Sequence, residues 1–450
     1  MFGDAIVALA TPPGRSALAI VRLAGPGAFE IAAKIVQGFR AEPRVAQLAT
    51  FHDSGDRPID RGLYTVFPAP ASYSGEDTVE FSCHGGLVAP ERLLAALIAA
   101  GARQAAAGEF TRRAVLNGRM DLVQAEAVGD LIDATAPAQA RAALAQLDGN
   151  LSRRILELRS SLLDLLGLLS YEIDFPGEDD GPIAPDRLQS QLDQTCARID
   201  TLLSTAPEGT RLREGALVVL AGRPNAGKSS LFNALLGSER AIVTEVPGTT
   251  RDAIEAHVTF LGWPVRLVDT AGIRDTSDRI EALGVAVSRR WLDSADLVLV
   301  CADESRVESQ ELRVTTLVPT KDLNSQLSTL NSELIVHTKA DLTGRSDGVS
   351  VVTGQGLADL RRTIADRLFG DRVQLADLEP MLTRTRHRVA LERARGELGV
   401  ARAQLAAPLG DAVLCAHHVR QAVLALDELI GVVDVEEVLG RVFSEFCVGK

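Results

Sequence analysis

The sequence contains little of what a generic nucleic-acid-binding protein contains. Phe, Trp and Tyr make up 4% of its 450 residues, and 60 acidic residues against 47 basic ones give a net charge of −13. Such binders present stacking rings on a basic surface. DNA is therefore not expected as a ligand, and any RNA contact is expected to be local or shared with a partner.

Cysteine and long apolar runs are also scarce. Five cysteines without a C-x-x-C pair argue against a disulfide framework or a zinc site and fit a reducing cytosol: Cys83, Cys196, Cys301, Cys415 and Cys447. No run of 18 apolar residues lacks charge, and the start has no basic region before a long apolar run. We therefore expect a cytoplasmic protein with no membrane span and no secretory signal.

Four segments with different periodicity follow one another along the chain. Residues 1–116 mix short β-rich runs with one helix, which predicts an α+β domain. Residues 211–372 alternate continuous apolar strands with helices, as in a parallel sheet buried on both faces. Residues 117–210 and 373–450 are helical, so we predict one all-α domain with the α/β domain inserted between its halves. Steps of three and four residues predict that one long helix in the second segment presents Leu144, Leu147, Leu151, Ile155, Leu158, Leu162, Leu165 and Leu169 on one face.

The stretch GRPNAGKSS, residues 222–230, matches the phosphate-binding P-loop pattern between a predicted strand and a predicted helix. Its glycines allow backbone N–H groups to turn toward phosphate oxygens. Lys228 would neutralise phosphate charge and Ser229 would place a hydroxyl on Mg²⁺. The predicted nucleotide contacts here are Asn225, Ala226, Gly227, Lys228, Ser229 and Ser230.

Three further motifs follow in the order that a GTPase requires. PGTTRD supplies Thr250 for Mg²⁺, DTAG supplies Asp269, which reaches the metal through water, and TKAD supplies Asp341 for the N1 and N2 edge of guanine. Together with the P-loop they predict a GTPase. The predicted contacts are Pro247, Gly248, Thr249, Thr250, Asp269, Thr270, Ala271, Gly272, Thr338, Lys339, Ala340 and Asp341.

Three positions depart from common GTPase patterns. Thr338 stands where the guanine motif usually has Asn, and Ser350 and Val351 stand where Ser-Ala-Lys is usual. Ile273 follows DTAG, where Ras-like enzymes place the Gln that orients the attacking water. Catalytic help must come from elsewhere, for which a carboxylate of the next segment is the candidate: Glu281, with Asp278 and Asp275 as alternatives.

With these motifs in hand, the sequence resembles the tRNA-modifying GTPase family MnmE, also called TrmE, over almost its whole length. The resemblance rests on ATPPGR, YSGEDTVEFSCHGG, GEFTRRAVLNGRMDLVQAEAVGDLIDA, LREG, the GTPase motifs and the closing FCVGK. It implies a multidomain fold: an α+β N-terminal tetrahydrofolate-binding domain that dimerises, an all-α helical domain, and an inserted Ras-like α/β P-loop G domain.

The resemblance also implies a reaction. In a heterotetramer with the FAD-dependent partner MnmG (GidA), such proteins add an aminomethyl or carboxymethylaminomethyl group to carbon 5 of the wobble uridine of certain tRNAs. They use GTP, Mg²⁺, K⁺ and a tetrahydrofolate derivative, 5,10-methylene or 5-formyl, as the one-carbon donor. Two other functions stay open: a regulatory GTPase switch in RNA or ribosome maturation, and a folate-binding structural protein with a vestigial G domain.

Carried over residue by residue, the resemblance implies a potassium site and a folate site. The potassium ligands would be the Asn225 side chain, the carbonyls of Thr244 and Val246, and Thr249, with Glu245 among the GTP contacts. The folate site would use Arg22, Glu80, Arg119 and Lys450, where the family often has Lys in place of Arg119. Glu281 matches the water-orienting glutamate of the family.

The C-terminal FCVGK, residues 446–450, has two interpretations. As a prenylation box it is poor, because Gly449 is not aliphatic and Lys450 is not an accepted last residue. The resemblance instead implies a tail beside the folate pocket. There the thiolate of Cys447 could add to carbon 6 of a uracil ring, or the residue could be a small buried apolar group.

One basic run, TRTRHRVALERAR at residues 383–395, stands out in the helical C-terminal segment. It could contact tRNA phosphates, or it could be the solvated face of a helix.

Overall fold

The computed structural model describes residues 3–174, 185–237, 254–269, 291–303, 333–370, 381–407, 411–431, 442–443, 446 and 449. The chain forms two compact units: unit 1 comprises residues 1–129, 147–160 and 420–450, and unit 2 comprises residues 130–146 and 161–419. The division at residues 116, 210 and 372 stays a prediction. Among the described helices, none is both long and apolar enough to cross a membrane.

Unit 1 contains a six-stranded sheet. Its strands are β1 Ile6–Leu9, β2 Leu18–Ala24, β3 Gln47–His52, β4 Pro58–Phe67, β5 Thr78–His84 and β6 Arg103–Gln104, in the order β3-β4-β5-β2-β1-β6. All neighbours are antiparallel except β1 and β6. Alternate residues of β2 and β5, such as Val21 and Phe81, are buried beneath helices α1 Ala28–Ile35 and α2 Val88–Ala99. The predicted α+β class is confirmed.

The predicted leucine-lined helix is two helices. After α3 Glu109–Leu116 and α4 Leu122–Asp133, Leu144 and Leu147 belong to α5 Pro137–Leu147, and the remaining apolar residues line α6 Asn150–Asp174. Gly149, with φ +82°, lies between the two helices. Glycine at a positive φ just past a helix is a common way to end it. The stripe within α6 is buried as predicted, whereas Leu144 is 49% exposed.

Unit 2 contains a five-stranded sheet that follows α7 Pro185–Ser204 and α8 Ala206–Glu214. Its strands are β7 Ala216–Gly222, β8 Ile254–Phe260, β9 Trp263–Asp269, β10 Leu297–Ala302 and β11 Glu333–His337, in the order β11-β10-β7-β9-β8. Among the strands that the structure describes here, only β8 is antiparallel to its neighbour. The chain places strands first on one side of β7 and then on the other, so the carboxyl end of β7 is a topological switch point, where ligands bind in such sheets.

The described helices that accompany this sheet are α9 Lys228–Leu236, α10 Ala340–Thr343 and α11 Leu357–Phe369. Their core includes Trp263, whose ring stacks on Phe369 with centroids 4.5 Å apart. The predicted inserted P-loop α/β domain is confirmed as a fold.

Two long helices complete the described chain: α12 Thr385–Ala406 and α13 Ala412–Ile430. Helix α12 lies antiparallel to α7, because Arg395 bonds Asp200 at 2.8 Å while Arg402 bonds Asp193 at 2.8 Å. Leu391 and Leu398, seven residues apart in α12, are fully buried.

Candidate functional site

The P-loop joins the buried end of β7 to the start of α9. Gly222 has φ +144°, and a Cβ added there would lie 2.5 Å from the carbonyl oxygen of Cys301 in the neighbouring strand β10. Glycine is therefore required on both backbone and steric grounds. Asn225 and Gly227 also have positive φ, +64° and +82°. These positive φ values turn the backbone into a loop that leads into the helix N-terminus. A loop of this geometry binds phosphate through its backbone N–H groups.

Lys228 lies against this loop. The residue is 8% exposed, and its Nζ donates to the carbonyl oxygens of Gly222 at 3.0 Å and Arg223 at 2.9 Å. The ammonium is thus held at the loop into which the phosphates are expected to bind. Ser229 and Ser230, in the same first turn of α9, are exposed and can offer their hydroxyls to a ligand.

Asp269 ends β9 and is 2% exposed. Its register partner in the parallel strand β7 is Leu220, two residues before Gly222. Since the carboxyl ends of parallel strands meet at one edge of a sheet, Asp269 belongs to the same edge as the P-loop. A carboxylate there suits water-mediated binding of Mg²⁺.

Thr338 connects the guanine motif to the P-loop. Its Oγ1 lies 2.8 Å from the carbonyl oxygen of Ala226 and 3.2 Å from that of Ala302. Lys339 follows at φ +58°, with its Nζ bonded to Asp303, and Ala340 begins α10. A hydroxyl thus makes the link between the two motifs in this chain.

Asp341 is bonded directly to Ser350, which stands where Ser-Ala-Lys is usual in GTPases. The buried Ser350 donates from Oγ to Asp341 Oδ1 at 2.6 Å, which fixes the carboxylate. Asp341 is exposed and retains further acceptor positions for a guanine edge. Val351, the next residue, is 39% exposed. The structure therefore brings together the predicted base-binding residues at the carboxyl edge of the sheet.

A second group of predicted residues meets on the sheet of unit 1. Arg22 of β2 and Glu80 of β5 are register partners, and Arg22 donates from Nε and Nη2 to Glu80 Oε1 at 2.9 and 2.8 Å. Within the described part of the chain, Glu80 Oε2 accepts no hydrogen bond. Because a pterin presents N–H donors, this free carboxylate oxygen fits the predicted folate.

Two aromatic rings enclose the Arg22 guanidinium. Its carbon lies 5.2 Å from the ring centre of Tyr73 and 5.6 Å from that of Phe110, within cation–π range. The Tyr73 hydroxyl bonds the hydroxyl of the buried Thr111 at 2.8 Å. Burial raises the pKa of the Tyr73 phenol. The phenol is therefore neutral at neutral pH, and the rings hold Arg22 in a partly desolvated position.

The C-terminal tail reaches this group. Arg22 Nη1 donates to the carbonyl oxygen of Gly449 at 3.4 Å. A Cβ on Gly449 would overlap the carbonyl oxygen of Leu9, and Phe446 packs in a cluster with Leu122. The prediction that the tail is held in a site, rather than frayed, agrees with these contacts.

Arg119 lies beside the loop that carries Tyr73. Its exposed side chain passes over Gly75, where an added Cβ would lie 3.1 Å from Arg119 Cγ. Asn117 fastens the same loop, donating from Nδ2 to the carbonyl oxygen of Ser74 at 2.7 Å. Arg22 and Arg119 thus contact one loop, at Tyr73 and at Gly75.

Two family models match the chain. The model of the MnmE helical domain matches residues 122–447, and the model of the GTP-binding protein TrmE N-terminus matches residues 5–119. This chain belongs to the MnmE family.

Curated MnmE-family proteins match over the full length. The tRNA modification GTPase MnmE of Moorella thermoacetica is 41% identical over 473 residues, covering 100% of both chains. That of Azoarcus sp. is 41% identical over 458 residues, covering 99% of this chain and 98% of the other. As a member of this family, the chain is an enzyme, a GTPase of tRNA modification.

A solved structure also matches in part. The G domain of the FeoB iron transporter of T. maritima is 30% identical, covers 34% of this MnmE-family chain and 98% of its own, and has a TM-score of 0.26.

Several residues predicted for the MnmE-family sites lie outside the described part of the chain. They are Thr244, Glu245, Val246, Pro247, Gly248, Thr249, Thr250, Thr270, Ala271, Gly272, Glu281 with its alternatives Asp275 and Asp278, Cys447 and Lys450. Of the predicted metal ligands, only Ser229 for Mg²⁺ and Asn225 for K⁺ are described. All these assignments stay predictions.

Sequence reasoning missed the residues that hold Arg22 and the loop beside it. Behind this loop, the fully buried Arg113 bonds Asp4 at 2.8 Å, Glu109 at 2.9 Å and Glu76 at 3.4 Å. Burial raises the pKa of Glu76, although Arg113 opposes the shift. One sequence signal could have pointed to these residues: Arg113, Glu109 and Glu76 all lie in stretches that carry the MnmE resemblance.

The basic run 383–395 makes ion pairs within unit 2. Arg384 bonds Asp130 at 2.7 Å, Arg395 bonds Asp200 at 2.8 Å, and Arg388 approaches Glu392 at 3.7 Å. These pairs favour a structural use of the run over contact with tRNA phosphates.

Proposed function

We propose that this MnmE-family chain is a potassium-dependent, cytoplasmic GTP hydrolase that acts as a homodimer with a flavin-containing partner of the MnmG (GidA) kind. Together they add an aminomethyl or carboxymethylaminomethyl group to carbon 5 of the wobble uridine of certain tRNAs. The observation that carries the proposal is the aromatic-enclosed Arg22–Glu80 pair beneath the C-terminal tail, in a chain that also has a P-loop and a guanine motif.

The GTP half of the proposal follows from the carboxyl edge of the sheet in unit 2. Lys228, held at the P-loop, neutralises phosphate charge, and Ser229 with Asp269 supplies the hydroxyl and carboxylate that suit Mg²⁺. Asp341, fixed by Ser350, accepts the N–H edge of guanine. Thr250 completes the Mg²⁺ ligands, and Glu281 orients the attacking water that Ile273 cannot.

Potassium dependence rests on Asn225. Its positive φ puts this exposed residue at the bend of the P-loop, where an amide oxygen suits a monovalent cation. With the carbonyls of Thr244 and Val246 and with Thr249, Asn225 would hold the ion. A bound K⁺ supplies positive charge that offsets charge developing on the phosphates.

The folate half follows from unit 1. Glu80 Oε2 accepts from the pterin, while Arg22, Arg119 and Lys450 attract the carboxylates of the glutamyl tail. A tetrahydrofolate derivative supplies the one-carbon unit when bound. Cys447 is proposed as the thiolate that adds to the uracil ring, and Cys447→Ser tests this role against that of a small buried residue.

Nucleoside mass spectrometry of bulk tRNA from cells lacking the chain tests the proposal. Complementation compares wild type, Glu281→Ala, which should abolish GTP hydrolysis, and Glu80→Gln, which should weaken folate binding. We expect 5-aminomethyl-type wobble uridines only with wild type. If the modification persists in cells without the chain, the proposal is wrong, and a regulatory GTPase that does not bind folate replaces it.

A further inference from the structure

The first turn of α5 is bonded to the end of α8, directly before the P-loop strand. Gln139, the third residue of α5, accepts at Oε1 from the backbone N–H groups of Thr135 and Ala136, both at 2.9 Å. This satisfies the helix N-terminus as a capping-box residue does. Its Nε2 donates to the carbonyl oxygen of Arg213 at 2.9 Å. Since β7 begins at Ala216, Gln139 holds the chain three residues before that strand.

The same turn is bonded to the β8–β9 hairpin. The backbone N–H of Ala138 donates to the carbonyl oxygen of Gly262 at 3.0 Å, in the turn directly before β9. Thr259 of β8 donates from Oγ1 to the carbonyl oxygen of Thr135 at 3.4 Å. Ala138 is fully buried in the same core cluster as Trp263. Residues 135–139 therefore attach to the amino ends of both β7 and β9.

A pocket borders the Gln139–Arg213 attachment. It has a volume of about 330 Å³ and is lined by Gln139, Arg213, His257 and Arg266, among others. Where space is not filled by side chains, close packing cannot fix the distance between elements. The hydrogen bonds of residues 135–139 therefore add support at the amino ends of β7 and β9, beside the ladder that pairs the two strands.

The two strands carry different parts of the nucleotide site at their far ends. β7 leads into the P-loop and β9 ends at Asp269, each about 20 Å from its amino end at the usual rise of a strand. In the proposed GTP site, the P-loop would hold the diphosphate, and Asp341, fixed by Ser350, would hold the base; none of them lies on β9. Asp269 would act instead through the Mg²⁺ that assists cleavage of the terminal phosphate.

We propose that Gln139 is a positioning residue for GTP hydrolysis: by joining the Arg213 carbonyl to the turn that holds Gly262, it stabilises the amino ends of β7 and β9, whose ladder places Asp269 beside the P-loop. The inference rests on the GTPase activity of the family. It predicts that loss of the Gln139–Arg213 bond lowers turnover and leaves GDP binding intact.

Gln139→Glu separates this role from helix capping. Glutamate keeps the oxygen that accepts from Thr135 and Ala136, since Glu and Gln serve equally in a capping box. It loses the N–H that donates to Arg213, and sets a carboxylate oxygen against a carbonyl oxygen. Gln139→Ala removes both the cap and the bond.

Gln124→Glu is a matched control in unit 1. Gln124 is the third residue of α4, accepts at Oε1 from the backbone N–H of Asp121 at 3.0 Å, and donates from Nε2 to the carbonyl oxygen of Leu147 at 2.8 Å. It thus repeats the geometry of Gln139 at a helix that does not attach to the hairpin. This substitution should leave GTP hydrolysis unchanged.

The experiment measures kcat and KM for GTP, the Kd for GDP and the thermal midpoint of the purified full chain with Mg²⁺ and K⁺. We expect Gln139→Glu to lower kcat about fivefold, the loss of one neutral hydrogen bond, with KM and the Kd for GDP within about twofold of wild type. Gln139→Ala should show the same kcat loss and a lower thermal midpoint.

Three outcomes would overturn the inference: a wild-type kcat in Gln139→Glu, a loss of GDP affinity as large as the loss of kcat, or an equal fall of kcat in Gln124→Glu. A wild-type chain that does not hydrolyse GTP would instead refute the GTPase activity, and the inference with it.

Discussion

Replacing Gly449 with Ala should release the C-terminal tail from Arg22 without unfolding unit 1. Gly449 has φ +103°, a backbone conformation that residues with a side chain rarely adopt. The added Cβ would overlap the carbonyl oxygen of Leu9 and lie 3.0 Å from Ala10 Cα. Both neighbours are backbone atoms of the chain at the end of β1, so the tail itself must move.

The expected loss of tail docking follows from the backbone conformation of Gly449. A non-glycine residue in such a conformation costs about 1–3 kcal/mol, and the overlap with Leu9 adds to it. A cost of about 2 kcal/mol shifts the docked tail toward the released state about 30-fold. Because Gly449 accepts from Arg22 and precedes the predicted folate contact Lys450, folate affinity should fall by up to the same factor.

Titration calorimetry of the full chain with 5-formyltetrahydrofolate measures this loss. Gly86→Ala is the control, because the added Cβ would meet no heavy atom within 4 Å and the backbone there is not strained. The thermal midpoint of both variants should stay near that of wild type. If Gly449→Ala binds the folate within twofold of wild type, the docked tail is not part of the folate site.

Three further predictions concern unit 2. Thr338→Asn should tighten GDP binding about threefold, measured in competition with a fluorescent GDP. The single hydroxyl hydrogen of Thr338 faces two carbonyl oxygens, that of Ala226 at 2.8 Å and that of Ala302 at 3.2 Å, whereas an amide offers two donors. Weaker binding would contradict this prediction. Ser350→Ala should weaken GDP binding about tenfold by releasing the Asp341 carboxylate, and unchanged affinity in the same assay would show that the carboxylate is fixed without Ser350. Cys301 should resist iodoacetamide at pH 8 until urea unfolds the chain. Burial raises the pKa of its thiol to about 12, and the thiolate is the reactive form. If peptide mass spectrometry finds Cys301 labelled in the native chain, the burial argument is wrong.

The sheet of unit 2 was predictable wherever a strand is a continuous apolar run. β7, β9 and β10 are such runs and are buried along most of their length, and the sequence also predicts the partly exposed edge strand β11. The edge strand β8, IEAHVTF, mixes polar and apolar residues and was missed. The break between α5 and α6 was also missed, since leucine periodicity continues across it while Gly149 turns the backbone.

The sites were predictable only as far as their chemistry lies in local motifs. Lys228, Asp269 and Asp341 stand at fixed offsets from strands, so the sequence alone indicates their roles. Tyr73 and Phe110 were not predicted, because each gains its role only by packing on Arg22, far away in sequence. The same holds for Gln139, whose position in α5 shows a cap but not its bond to Arg213.

Glycines in three of the family motifs lie where remote segments of unit 1 approach each other closely. Gly75 of YSGED faces the Arg119 side chain of LNGRM, Gly108 of GEF faces Phe443 and Phe446 of the C-terminal segment, and Gly449 of the tail faces Leu9 and Ala10, the latter in ATPPGR. In each case an added Cβ would meet a segment that is remote in sequence and belongs to unit 1. These motifs are therefore points of close approach between remote segments of unit 1. A side chain at any of these three glycines should push two remote segments of unit 1 apart. We therefore expect such a substitution to weaken folate binding before it lowers the stability of the sheet.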